Sequence, residues 1–304
     1  MFTIREACAA SDYEALRKLW CENFGDSPEY VDAFYANWSD AIKGYVLEDD
    51  GEIVSALTQF YAGELVIPSN SCAALPEDAP GATRIPVYVS YAICTASSAR
   101  GKGFGSAITE YARDVAVHQD AVSVLSPAEP SLVNFYRPLG YEPQFLATEI
   151  SLGEGLSADL DSDSGTDPGT DRIDLARYIE LREMLLANTA HIVFSEKTWR
   201  HIASESEGFY SLMNGRIIVC VGDKARMLEA IASPELETSE FAKKISTLAA
   251  ALGMETFSCR CPADAFTPDV FASDGIPDRN YVQAMIAGER IPDFGFGYYG
   301  FPLD

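Results

Sequence analysis

Val87-Tyr88-Val89-Ser90-Tyr91-Ala92-Ile93-Cys94-Thr95 is followed, after a short turn, by Arg100-Gly101-Lys102-Gly103-Phe104-Gly105-Ser106. The first stretch is a largely apolar run that reads as a buried strand. The second opens a helix, because Phe104, Ala107, Ile108, Tyr111, Ala112 and Val115 fall on one helical face. Strand, glycine-rich turn and helix together aim unpaired backbone N–H groups at an anion, backed by the positive end of the helix. Glycine lets the backbone approach the ligand with no Cβ in the way. Arg100 and Lys102 add full charges suited to a pyrophosphate. The plainer alternative is a basic turn that only starts a helix.

Three phosphate motifs compete for this turn. A P-loop needs Gly-x-x-x-x-Gly-Lys-Ser/Thr, but here Gly101-Lys102 is followed by Gly103. The dinucleotide fingerprint would use Gly101 and Gly103, yet its third glycine position is Ser106, and Asp120 precedes the next strand instead of ending it. The third pattern, Arg100-x-x-Gly103-x-Gly105, resembles the Arg/Gln-x-x-Gly-x-Gly/Ala signature of the GNAT superfamily of N-acetyltransferases. The likeness continues downstream, where Asn134-Phe135-Tyr136-Arg137-Pro138-Leu139-Gly140-Tyr141 is similar to the family's segment after its fifth strand. It covers roughly residues 2–150.

The resemblance implies an α/β fold of mixed α+β type, with a mixed, mostly antiparallel twisted sheet flanked by helices. It implies that acetyl-CoA is the co-substrate and that no metal is needed. The backbone of Ile93, Cys94 and Thr95 would pair with the pantetheine arm. The amides of Gly101, Lys102, Gly103, Phe104, Gly105 and Ser106 would hold the pyrophosphate with the Arg100 and Lys102 side chains. Tyr136 would protonate the departing thiolate; the reference pKa values of phenol and thiol, ~10 and ~8.5, are close enough for this. A backbone N–H at a bulge in the strand would stabilise the oxyanion. One position departs from the family pattern: seven residues before Tyr136, where many members carry asparagine, this chain has Glu129. The general base is open. Glu64 is one candidate, more simply read as an exposed strand carboxylate. Asp304 is another, because the aromatic tail Gly297–Asp304 suits docking on the first domain, as in two-domain relatives whose terminal carboxylate reaches the site.

Working outward, Ser11 and Glu14 form a capping pattern for a helix that Gly25 ends, and Ser27-Pro28 opens a second. Tyr45–Glu48 and Ile53–Phe60 read as a hairpin around Asp50-Gly51. Cys94 reads as a small core filler. The expected organisation is a catalytic domain over 1–150, an acidic flexible linker over 151–172 and a degenerate GNAT-like domain over 173–304. The linker holds six acidic residues among Gly, Ser, Thr and Pro, with little to bury. The second half repeats the order of elements, with a hairpin at Asn214-Gly215 and a helix over 239–252, but nothing in it matches Arg100–Gly105.

The formal net charge of −24 excludes a nucleic-acid binder, which needs clustered Lys and Arg. It suits a cationic small-molecule or peptide amine as substrate, or simply keeps the protein soluble. Seven scattered cysteines and three histidines lack zinc-ligand spacing. No apolar run is long enough to span a membrane, and the N-terminus lacks signal-peptide features, so cytoplasmic residence is expected. The expected reaction is acetyl transfer to a primary amine by direct attack in a ternary complex. A catalytically silent CoA-binding or regulatory protein, and a nucleotide- or phosphosugar-binding protein, are the alternatives.

Overall fold

The computed structural model describes residues 1–38, 41–69, 81–152, 170–223, 225–254, 256–263, 277–289 and 291–301. Strand β1 (Phe2–Glu6) leads into helices α1 (Ala9–Phe24) and α2 (Pro28–Trp38). α1 begins ahead of the Ser11–Glu14 pattern expected to cap it, because Asp12 takes over that work. Its carboxylate accepts from the Cys8 amide at 2.7 Å and from the Arg5 guanidinium, which also holds Glu48. Gly25 closes α1 in the left-handed region, its N–H on the Cys21 carbonyl. Ser27 accepts from the Tyr30 amide at 3.2 Å at the head of α2.

β2 (Ile42–Asp49) and β3 (Glu52–Ile67) form a hairpin around Asp50 and Gly51, at φ 53 and 86. β4 (Thr83–Thr95), α3 (Phe104–Val117), β5 (Val122–Leu125) and the short α4 (Leu132–Tyr136) follow. A further strand, β6 (Glu142–Leu152), absent from the sequence reading, extends into the expected linker. At the other end of that linker, Asp171 and Arg172 belong to β7 (Asp171–Ile173); residues 153–169 lie outside the described residues. Then come α5 (Leu175–Leu185), β8 (His191–Phe194), α6 (Glu196–Ser204), β9 (Gly208–Leu212), β10 (Ile217–Asp223), β11 (Arg226–Ala232), α7 (Thr238–Ala251), β12 (Phe257–Pro262) and β13 (Pro277–Ala287).

Among the described residues these strands form one sheet, ordered β1-β2-β3-β4-β5-β13-β6-β12-β11-β10-β9-β7, with β8 on β3. Its centre is an exchange. β13, from the end of the chain, lies between β5 and β6, while β6 lies between β13 and β12. The two flanks repeat each other. β3 and β4 are antiparallel and β4 and β5 parallel across α3; β10 and β11 are antiparallel and β11 and β12 parallel across α7. A parallel pair needs such a helical crossover.

The halves also interlock at β8, which pairs with Gly63–Val66 of β3. Gly63, at φ +143, lets the strand approach: a Cβ there would stand 2.0 Å from the Val193 carbonyl oxygen. One core joins both halves, with Trp20, Phe34 and Trp38 from α1 and α2 sharing a cluster with Tyr178, Trp199 and Ile202. The tail runs into this cluster. Gly297 bridges to Phe145 of β6, Tyr298 bridges to His191, and Tyr298, Tyr299 and Phe301 are buried.

Candidate active site

β4 and β5 part company at one place. Their parallel pairing runs from Val87↔Val122 to Val89↔Val124, and β4 then continues to Thr95 with β3 on one side and without β5 on the other. Ala92 marks the break. It sits at φ 49, a left-handed conformation uncommon for a residue with a Cβ. Ala56 faces Cys94 and Thr58 faces Tyr91, so two steps of β3 oppose three of β4, which is a β-bulge. The extra residue resets which face each side chain takes. Tyr91 stacks on Phe34 of α2 (ring centroids 5.2 Å apart). Ile93 packs on the opposite side, towards α3 and Tyr136. Cys94 turns back to Leu16 and Leu19 of α1. Burial pushes the Cys94 thiol up to about 12, so the core-filler reading of its side chain stands.

The turn after β4 has the geometry an anion cradle needs. Gly101 and Gly103 take φ 79 and 81, and a Cβ on either would meet nothing within 4 Å. Both glycines are therefore there for the backbone's hand, with open space above them. Gly105 is tighter: a Cβ there would lie 3.5 Å from Thr95 Oγ1 and 3.8 Å from Phe135 Cζ. No side chain caps α3 at Gly103, and its first-turn amides have no intrahelical acceptor. Arg100 donates through Nε to the Thr95 carbonyl (3.3 Å) and through Nη2 to Asn23 Oδ1 (2.8 Å). Lys102 Nζ lies 3.7 Å from Asp49 and 5.7 Å above the Phe104 ring. Asn23 and Asp49 were not legible as neighbours of the turn, since α1 and β2 reach it only through the fold.

Tyr136 closes the other side. It packs with Leu125, Leu139, Tyr141, Met285 and Ala287, with Ile93 of β4 against the same cluster. Burial raises its phenol to about 12. Met285 and Ala287 come from β13, so the last strand among the described residues walls the cleft beside Tyr136. Sequence reading missed this contribution, which rests on a pairing with β5 across about half of the chain. Glu129 is exposed and accepts from the Ser131 hydroxyl. Behind the cleft, Gln59, Ser90, Ser123 and Tyr141 form a buried hydrogen-bonded chain across β3, β4 and β5.

Ile93, Thr95, the 100–106 turn and Tyr136 thus converge where β4 leaves β5. Glu64 does not join them. It pairs with Arg84 at 2.8 Å, six residues along β3 from Thr58, or about 20 Å at the rise of a strand. Asp304 lies outside the described residues, and the tail is packed as far as Phe301.

The matching position in the second half has the opposite character. Between β11 and α7 the chain reads Ser233-Pro234-Glu235-Leu236-Glu237, with Glu237 at the N-cap. Two carboxylates there oppose any phosphate. Among the described residues, no cluster of three or more metal-ligating side chains occurs, and no helix is long and apolar enough to cross a membrane.

Residues 3–144 match the family model for the acetyltransferase (GNAT) domain. No curated protein matches the sequence. Similar solved structures include a GCN5-related N-acetyltransferase from Kribbella flavida, at 17% identity and a TM-score of 0.63 over 94% of this chain and 70% of that one. Another from Anabaena variabilis has 13% identity and a TM-score of 0.66, covering 94% and 72%. A tandem GNAT protein from the clavulanic acid biosynthesis pathway has 13% identity and a TM-score of 0.53, covering 94% and 98%. At such identities the likeness speaks for fold. Residues 3–144 thus carry the likeness to a GNAT acetyltransferase domain, and along its length the chain shares the fold of a tandem GNAT protein.

Proposed function

We propose that this protein is an N-acetyltransferase that moves the acetyl group of acetyl-CoA to a primary amine, by direct attack in a ternary complex. One observation carries the reading: the left-handed turn Gly101–Gly103, open above, leads into the uncapped α3 beside the place where β4 parts from β5. The residues fit the co-substrate. The 101–106 amides and the charges of Arg100 and Lys102 suit a pyrophosphate. The strand at Ile93, Cys94 and Thr95 is unpaired with β5 and so offers an edge to a pantetheine amide, with the Cys94 carbonyl accepting from Ser55 and the Thr95 carbonyl from Arg100.

Acetyl-CoA supplies an activated acyl group. The chain's part is to hold donor and amine together and to manage charge and protons. A backbone N–H at the Ala92 bulge is the donor for negative charge gathering on the carbonyl oxygen. Tyr136 keeps its proton at neutral pH and can give it to the departing sulfur. Its raised value is no obstacle, because a sulfur departing within the same buried cleft would have its proton affinity raised by desolvation as well. The tail is packed on the core shared by both halves as far as Phe301, and Asp304 is the proposed acceptor of the amine's proton. The net charge of −24 favours a cationic acceptor, a small molecule or a peptide amine.

Acetyl-CoA binding measured by calorimetry tests the reading. Wild type should bind at micromolar level and a Gly103→Glu variant should not, since a carboxylate would enter the open space above the turn. Absence of binding by the wild type would overturn the proposal. Binding without transfer to any of a panel of amines would favour a catalytically silent CoA-binding protein.

A further inference from the structure

We infer that Asn23 is a positioning residue for donor binding, one that orders the Arg100 guanidinium while leaving its charge intact. The inference rests on the pyrophosphate reading of the 100–106 turn. Asn23 lies in the last turn of α1, whose last turn contains no basic residue. Its Nδ2 donates to the Leu19 carbonyl at 2.8 Å, which fixes the amide and presents Oδ1 outward to Arg100 Nη2, also at 2.8 Å. Arg100 Nε takes the Thr95 carbonyl at the end of β4. The guanidinium is thus pinned between the end of α1 and the end of the donor strand, and both of its acceptors are neutral.

That neutrality matters in this chain. Acidic residues outnumber basic ones by 46 to 22, and Arg5, Arg17, Arg84, Arg113, Arg177, Arg182 and Arg200 each meet a carboxylate. Among the described residues Arg100 meets none. Lys102, the other cation of the turn, has Asp49 at 3.7 Å. A carboxylate in place of the Asn23 amide would order Arg100 equally well but cancel the charge that a pyrophosphate needs. An apolar residue would leave the charge and lose the order. Asparagine supplies order without neutralisation, and the partial negative charge at the end of α1 helps retain the cation. Binding then loses less side-chain entropy.

The test compares wild type, Asn23→Ala and Asn23→Asp on two donors, acetyl-CoA and S-acetylpantetheine, which lacks the pyrophosphate. Asn23→Ala should weaken acetyl-CoA binding by up to about tenfold, the cost of ordering one long side chain on binding. Asn23→Asp should weaken it further. The loss with S-acetylpantetheine should be at least several-fold smaller in both variants. Equal losses on the two donors would mean that Asn23 only supports α1 and would overturn the inference, as would unchanged acetyl-CoA affinity in Asn23→Ala or wild-type affinity in Asn23→Asp. A wild type that binds no acetyl-CoA overturns the pyrophosphate reading itself, and this inference with it.

Discussion

Arg182 of α5 and Glu229 of β11 form an ion pair in which both side chains are 0% exposed, Nε lying 3.1 Å from Oε2. Tyr178 donates to the same carboxylate at 2.6 Å, and Arg182 also donates to the Ile192 carbonyl at 3.0 Å. The rings of Phe194 and Trp199 flank the guanidinium. Gly300 of the tail seals the pair, since a Cβ there would lie 2.6 Å from Arg182 Nη2. Removing one partner of such a pair leaves a buried charge, so Glu229→Leu should lower stability by about 3–5 kcal/mol in denaturant melts. The double change Arg182→Met with Glu229→Leu should recover most of that loss. A double variant as unstable as the single one would show that the uncompensated charge is not the cause.

Gly63→Ala tests the interlock of the halves. The new methyl would collide with the β8 backbone, and φ +143 disfavours any side chain. We expect a loss of about 3 kcal/mol, from overpacking with strain. Hydrogen exchange should show β8 and α6 opening before the rest of the sheet. Uniform loss of protection would place the damage elsewhere.

Tyr136→Phe keeps the ring and removes the proton. The acetyl transfer rate should fall about a hundredfold or more, with acetyl-CoA affinity within twofold of wild type. A rate within twofold of wild type would remove Tyr136 from the chemistry and leave it as a packing residue of the cleft.

Deleting Pro302, Leu303 and Asp304 should lower the rate about a hundredfold at neutral pH and shift the acidic limb of the rate profile. Phe301 remains in its seat between Phe194 and Trp199, so the melting temperature should hold. Unchanged kinetics would leave the tail a purely structural role.

His201 gives a pH signature in stability. Burial against Phe34 and Trp38 holds its pKa below the ordinary 6.5, and Glu205 opposes this only weakly. The unfolded chain therefore binds a proton that the folded chain resists. This contribution is complete above about pH 6.5 and declines as the pH falls below it. His201→Phe should flatten the slope between pH 6.5 and 5 in chemical denaturation; an unaltered slope would assign it to other groups.

The strand from Val87, the turn from Arg100 and the helix behind it were legible because each depends on neighbours in the sequence. So were Gly25, Ser27 and the hairpin at Asn214-Gly215. Asp12 displaced Ser11 as the organiser of α1 because Arg5, which Glu48 holds across β1 and β2, is set in place only once those strands pair. β6 was missed for a related reason. Between β13 and β12 it has both edges paired, and Phe145 and Ala147 bury into one cluster while Ile150 buries into another, so the segment lacks a clean alternation. Met285 beside Tyr136 had no local signal at all.

The exchange of β13 and β6 has a consequence for the protein's birth. Leu125 waits for Met285, about 160 residues further along the chain, and translation proceeds at about 5–20 residues per second. The turn proposed to hold the donor emerges early, but the wall beside Tyr136 arrives only with β13. A nascent or truncated chain that stops before β13 therefore carries the glycine turn without a finished cleft beside Tyr136.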